Sequence, residues 1–169
     1  MPNTPHTPYA STLPPDSAIH HLIAGAYFHD AWSIRLRKPQ RSVFELFMQV
    51  FARAPKWVEF CMRLRNRVTS AIGLKDLGGF GNVDVNRPAS DYQIGDRIGI
   101  FTLLQTLPHE IIVGDDDKHL RVTLSIYKGD GILTVTTIVQ VKNRLGRVYM
   151  LPVRPMHKLI APASLRPLG

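Results

Sequence analysis

The sequence predicts an α+β domain in which an antiparallel sheet wraps on a long C-terminal helix. Three observations carry that prediction. From Ile98 to Lys142 the chain is rich in β-branched and aromatic residues in period-two alternation, the sign of half-buried strands. Between Ser42 and Gly73 the apolar residues recur instead at the three-and-four spacing of helices. After Asn143 an apolar segment, Leu145 to Leu165, keeps broadly helical phase.

Length and composition bound the rest. A chain of 169 residues, 44% hydrophobic and 20% charged, is one ordinary globular domain. At that size roughly two thirds of the unfolded surface is buried on folding. Residues 1–15 hold five prolines among Ser, Thr and Asn and read as a disordered or extended tail, leaving 16–169 as a single domain. The tail lacks the apolar core of a signal peptide, and no apolar run approaches the roughly 18 residues of a membrane span. The expected compartment is the cytoplasm. The one cysteine, Cys61, forms no intramolecular disulfide.

The net charge of +8 is unevenly placed. Arg35 to Arg67 holds nine basic and two acidic residues, Lys142 to Gly169 six basic and none acidic, and the strand region between them is net acidic. Such helices suit a solvated surface, or an anionic membrane or partner. No helix-turn-helix or zinc-finger spacing and no strand of interleaved aromatic and basic residues appears, so nucleic acid is not an expected partner.

Along the chain, Asp16-Ser17 reads as the cap of a short amphipathic turn ending at Gly25, with His20 and His21 pointing about 100° apart to solvent. Tyr27 to Leu36 reads as the first strand, with Trp32, Ile34 and Leu36 on its apolar face. Ser42 caps a helix carrying the stripe Phe44, Phe47, Met48 and Phe51. Pro55 opens a second, whose apolar face is Trp57, Cys61, Leu64, Val68 and Ile72. The segment Leu74 to Asp96 contains a Gly-Gly-Phe-Gly run with neither the Lys-Ser/Thr nor the following helix of a phosphate loop. Ile98 to Gln105 reads as one strand, Pro108-His109-Glu110 as a turn, and Gly129-Asp130-Gly131 as a hairpin between His119–Tyr127 and Ile132–Lys142. Pro152 and Pro155 predict a kinked final helix or two consecutive pieces.

Chemistry is sparse. Asp115, Asp116, Asp117 and His119 form the densest set of metal-ligand types, but lack the spacing, central Gly and distal Glu of a calcium loop, so they read as a turn with solvated carboxylates and no metal is assigned. Neither Ser125 nor Ser164 lies in a nucleophile elbow, and no cofactor is expected. His157 is the first polar candidate because its helical phase turns it toward the sheet.

The blocks Arg65-Asn66-Arg67, Ile98-Gly99-Ile100-Phe101, Gly114-Asp115-Asp116-Asp117-Lys118-His119-Leu120, Asn143-Arg144-Leu145-Gly146-Arg147-Val148-Tyr149 and Pro155-Met156-His157 carry a resemblance. Over about Pro15 to Leu165 the chain resembles the uncharacterised bacterial domain-of-unknown-function family 2867. Its element order resembles the helix-grip plan of START and Bet v 1-like proteins. The first resemblance supplies no catalytic residues, and the chain has no dinucleotide-binding half. The second implies a cavity between sheet and C-terminal helix, lined by Phe101, Leu103, Thr137, Val139, Tyr149, Met156 and His157. Its occupant would be a small hydrophobic molecule or lipid. The alternatives are an enzyme of the same fold, using His157, His119 or Tyr149 as acid or base on a hydrophobic substrate, and a basic adaptor on an anionic membrane or partner. No feature of the sequence sets an oligomeric state.

Overall fold

The computed structural model describes residues 6–71, 83–84 and 87–169. Its strands are β1 (Tyr9–Ser11), β2 (Phe28–Arg35), β3 (Arg97–Ile98), β4 (Phe101–Thr106), β5 (Glu110–Asp116), β6 (Leu120–Gly129) and β7 (Ile132–Val141). Its α-helices are α1 (Val43–Ala52), α2 (Lys56–Ala71) and α3 (Arg144–Leu165). The strands form one antiparallel sheet in the order β1-β2-β7-β6-β5-β4-β3. This is the predicted α+β architecture, a sheet with a long C-terminal helix, consistent with the helix-grip plan. Ile72, Gly73 and the Gly78–Gly81 run lie outside the described residues.

Turn chemistry sets the strand limits. Asp130 and Gly131 take φ of 52° and 72°, successive left-handed residues that make the hairpin turn whose twist matches β6 and β7. Gly99, at φ 58°, turns the chain between β3 and β4 and so divides the single strand expected over Ile98 to Gln105. Part of the proline-rich tail is held: Tyr9–Ser11 pairs with Ala31–Ser33 at the sheet edge. Both edge strands are short, which limits their use as templates for another chain.

The helices cover one face of the sheet. Ser42 and Glu45 cap α1 reciprocally, the Ser42 hydroxyl accepting the Glu45 N–H at 3.2 Å and the Glu45 carboxylate accepting the Ser42 N–H at 2.9 Å. The whole stripe Phe44, Phe47, Met48 and Phe51 is buried, and Phe51 meets Phe47 and Phe101 edge-on at 4.9 and 5.7 Å. Asn143 caps α3 by accepting the Gly146 N–H at 3.1 Å. A side chain at Gly146 would place its Cβ 2.5 Å from the His119 carbonyl oxygen, so glycine lets the helix start against the β5–β6 turn. α3 is one helical segment through Pro152, Pro155 and Pro162 and not two consecutive pieces. The carbonyls those prolines leave without a helical donor belong to Val148, Leu151 and Lys158, all exposed residues where water can serve.

The opposite face is covered by the N-terminal segment, in which Ile19, Leu22 and Ile23 pack on Ile112 and Ile138. The amphipathic turn is a 3-10 helix, His20–Gly25, and the expected cap Ser17 has another task. Glu110, expected in a turn, is buried at the start of β5 and accepts three hydrogen bonds. Ser17 Oγ donates to its Oε1 at 2.5 Å, Ser125 Oγ donates to the same oxygen, and the Ala18 N–H donates to Oε2 at 2.8 Å. The polar side of the central strands is therefore interior, its hydroxyls paired with one another, as in Ser11–Ser33 at 2.7 Å and Ser33–Thr134 at 2.8 Å.

The acidic turn is likewise not merely solvated. Asp115 is buried against Arg97 at 2.9 Å, Asp116 pairs with Lys142 and with Arg121, and Asp117 Oδ1 accepts the N–H groups of His119 and Leu120 at 2.6 and 2.9 Å. The hydrogen bond from Lys142 holds the Asp116 carboxyl below its ordinary value; burial opposes it, and smaller contributions from Arg121 add to the lowering.

Two outcomes are expected. Glu110→Ala leaves two hydroxyls and an N–H without their acceptor and lowers stability by roughly 2–4 kcal/mol. In limited proteolysis the Leu13–Ala26 segment then becomes the earliest cut; an unchanged urea midpoint would sink this role. Because the folded-state value of Asp116 is depressed, its ion pairs stabilise above the unfolded carboxylate value and lose that effect as pH falls through the folded one. Asp116→Asn therefore lowers stability by under about 1 kcal/mol at neutral pH, the range of exposed pairs. Chemical unfolding should show the difference from wild type vanishing at strongly acidic pH.

Candidate functional site

Two apolar clusters meet beneath the helices. The larger, under α1, contains Leu103, Phe101, Ile126 and Leu133; the smaller, under α3, contains Phe28, Leu120, Val139 and Met150. Val122 packs against both. α2 bridges them from above, since Met62 packs on the first cluster and Arg65 reaches Tyr149, which packs on the second. Arg65 Nε donates to the Tyr149 hydroxyl at 3.0 Å, and its guanidinium lies 5.4 Å from the ring centre.

A polar line crosses this seam. Asp30 on β2 is the register partner of Thr137 on β7, and both point to the helix face. His157 on α3 comes down between them: Nδ1 donates to Asp30 Oδ2 at 3.0 Å, and Nε2 stands 3.2 Å from Thr137 Oγ1. Trp32 Nε1 donates to the same Asp30 oxygen at 3.1 Å. Asp30 Oδ1 is buried with no hydrogen-bond partner. Phe28 packs edge-on against the His157 ring at 5.7 Å, and the Arg154 guanidinium lies 5.7 Å from the Phe28 ring centre. Since a carboxylate only accepts, Nδ1 carries a proton; neutral His157 then accepts the Thr137 hydroxyl proton at Nε2, and the imidazolium donates there instead. The line can take up or release a proton without losing either contact.

Of the residues expected to line one cavity, the structure brings Thr137 and His157 together and sets Val139 and Tyr149 nearby in the smaller cluster. Phe101 and Leu103 belong to the cluster under α1, and Met156 is exposed on the flank of α3. His119 stands at the other end of α3, its Nδ1 3.2 Å from Asn143 Oδ1 and its buried Nε2 unpartnered. At 1.5 Å per residue, the eleven positions from Gly146 to His157 span about 16 Å, so His119 and His157 do not address one atom. The sequence places Trp32 on the apolar face of the first strand but gives neither it nor Asp30 a site role, although Asp30 shares strand parity with Trp32, Ile34 and Leu36, and a carboxylate in an apolar register is a readable signal. A surface cleft of about 220 Å³ lies elsewhere, between the β2–α1 connection, α1 and the C-terminal turn; Arg37, Lys38, Arg41 and Arg53 line it.

Fold and seam together define a sheet-and-helix domain with a half-buried Asp–His–Thr line at the joint of two apolar clusters. The family model described as "Protein of unknown function (DUF2867)" matches residues 22–164, most of the chain, and the chain belongs to that family. No curated protein and no solved structure matches it. Among the described residues no helix is long and apolar enough to cross a membrane.

A double-mutant cycle measures the central contact. Asp30→Asn and His157→Phe each lower stability by about 1–3 kcal/mol in urea unfolding. Together they cost less than the sum of the two, with a coupling of about 0.5–3 kcal/mol. Strict additivity would mean the pair does not interact.

Proposed function

We propose that the protein is a bacterial, cytoplasmic binding domain for a small hydrophobic molecule or lipid that carries one hydrogen-bond donor. The ligand lies in the seam beneath α2, its apolar body against Trp32, Val122 and Val135 and its donor on Asp30 Oδ1. The single observation that carries this reading is that buried, unpartnered carboxylate oxygen in an otherwise apolar wall. Ligand sites combine apolar walls with a few convergent polar groups, and a buried acceptor without a donor costs about 1–3 kcal/mol until one arrives. A second reading, acid–base catalysis on the same bound molecule, is favoured by the Asp30–His157–Thr137 order, which lets His157 exchange a proton at Nε2.

Native mass spectrometry of gently purified protein is expected to show a retained hydrophobic mass. Asp30→Asn and Thr137→Val should each lower its occupancy at least about fivefold, an effect of the size of one hydrogen bond to a charged group. Protein that carries no extra mass and leaves Trp32 emission unmoved by hydrophobic alcohols or amines, measured in the Trp57→Phe background, would overturn the reading.

A further inference from the structure

Both helices that border the seam carry exposed apolar residues on a face that none of the described residues covers. On α2, Trp57, Phe60 and Leu64 recur at helical spacing and are 42%, 58% and 54% exposed. The apolar face expected from the sequence includes Trp57, Cys61 and Leu64, yet the fully buried residue is Val58, on a different side of the helix. On α3, Val148, Leu151 and Leu159 are 61%, 65% and 60% exposed and form a stripe opposite the inward line of Gly146, Met150, His157 and Ser164. Arg65 of α2 touches Tyr149 of α3, and both helices lie over the same face of the sheet.

Charge selects what this side meets. α2 holds Lys56, Arg63, Arg65 and Arg67 against Glu59 alone, and α3 holds Arg144, Arg147, Arg154 and Lys158 with no acidic residue. On α2, Lys56, Arg63 and Arg67 fall along one border of the Trp57–Leu64 stripe. A second copy of the chain docking the same face would oppose cations to cations, which is repulsive. Aromatic and aliphatic crests bordered by Arg and Lys suit the boundary between headgroups and acyl chains of an anionic bilayer.

We propose that the outer face of α2 and α3 docks on anionic lipid membranes, with Trp57, Phe60, Leu64, Val148 and Leu151 entering the headgroup–acyl boundary and the flanking Arg and Lys side chains holding phosphates. Insertion is shallow, because the proline-freed carbonyls of Val148 and Leu151 stand on the same crest and keep their need for water or a headgroup donor. The docking is independent of what the seam holds.

Vesicle co-sedimentation of the full chain tests it. Vesicles of mixed phosphatidylglycerol and phosphatidylcholine should bind the protein at low salt, pure phosphatidylcholine at least about tenfold less, and high salt should release it. Trp57→Ser/Phe60→Ser/Leu64→Ser should lower partitioning at least about tenfold, and Arg63→Gln/Arg67→Gln should weaken it and flatten the salt dependence. Because all five positions are exposed, thermal unfolding of both variants should match wild type, which separates lost docking from lost folding. Equal binding to zwitterionic vesicles, no binding to anionic ones, or undiminished binding by the triple variant overturns the proposal. So does a wild-type dimer that the triple variant converts to monomer, since the face would then be a protein interface.

Discussion

The pairing of β2 with β7 is the constraint on which the remaining structure depends. Its register runs from Phe28↔Val139 to Arg35↔Ile132 and joins strands about a hundred residues apart. Closing so long a loop adds only about 0.6 kcal/mol for each doubling of its length, but contacts of this range form slowly. Once made, the ladder places Asp30 opposite Thr137 and brings the tail strand β1 onto the outer edge of β2. It also sends α3, which follows β7 directly, back across β2. Helices α1 and α2, inserted between β2 and β3, share that same face.

Burial of polar groups then separates structure from candidate function. On the outer face the Glu110 carboxylate meets two hydroxyls and an N–H, and this closed set pins the N-terminal segment over Ile112 and Ile138. On the helix face Asp30 meets Trp32 and His157 through one oxygen only. Among the described residues the other buried side-chain atoms without partners are His119 Nε2 and Thr136 Oγ1, one beside the cap of α3 and one on the outer face of β7. A carboxylate left half-satisfied is more costly than a hydroxyl in the same state, which sets Asp30 apart among the three.

Much of the fold was legible in the sequence because it rests on local signals. The β6–β7 hairpin follows from Asp130-Gly131, α1 from Ser42 and its Phe stripe, and the inner face of β6 from the parity of Leu120, Leu124 and Ile126. What escaped depends on partners distant in sequence. Ser17 looks like a cap until Glu110 lies beside it, and the alternating hydroxyls of β6 and β7 look solvent-facing until the N-terminal segment covers them. Of the candidate site, Thr137 and His157 are named together only through the helix-grip resemblance, whereas Asp30 needs the β2–β7 register to place it.

The helices expose a deeper limit of periodicity. A hydrophobic stripe says that a face leaves water, not what receives it, and both α2 and α3 carry apolar residues on more than one side. On α3 the sheet takes the side with Gly146, Met150 and His157: glycine lets the helix start close to the β5–β6 turn, Met150 packs in the smaller cluster, and His157 reaches Asp30 and Thr137. The larger Val148, Leu151 and Leu159 are thereby turned outward, and α2 likewise presents Trp57 and Phe60 to the outside. Burying these residues instead would rotate α3 by about half a turn, removing His157 from the sheet and leaving the Asp30 carboxylate with Trp32 Nε1 as its remaining donor. The polar line in the seam and the apolar crest outside are therefore two consequences of a single choice of helix orientation.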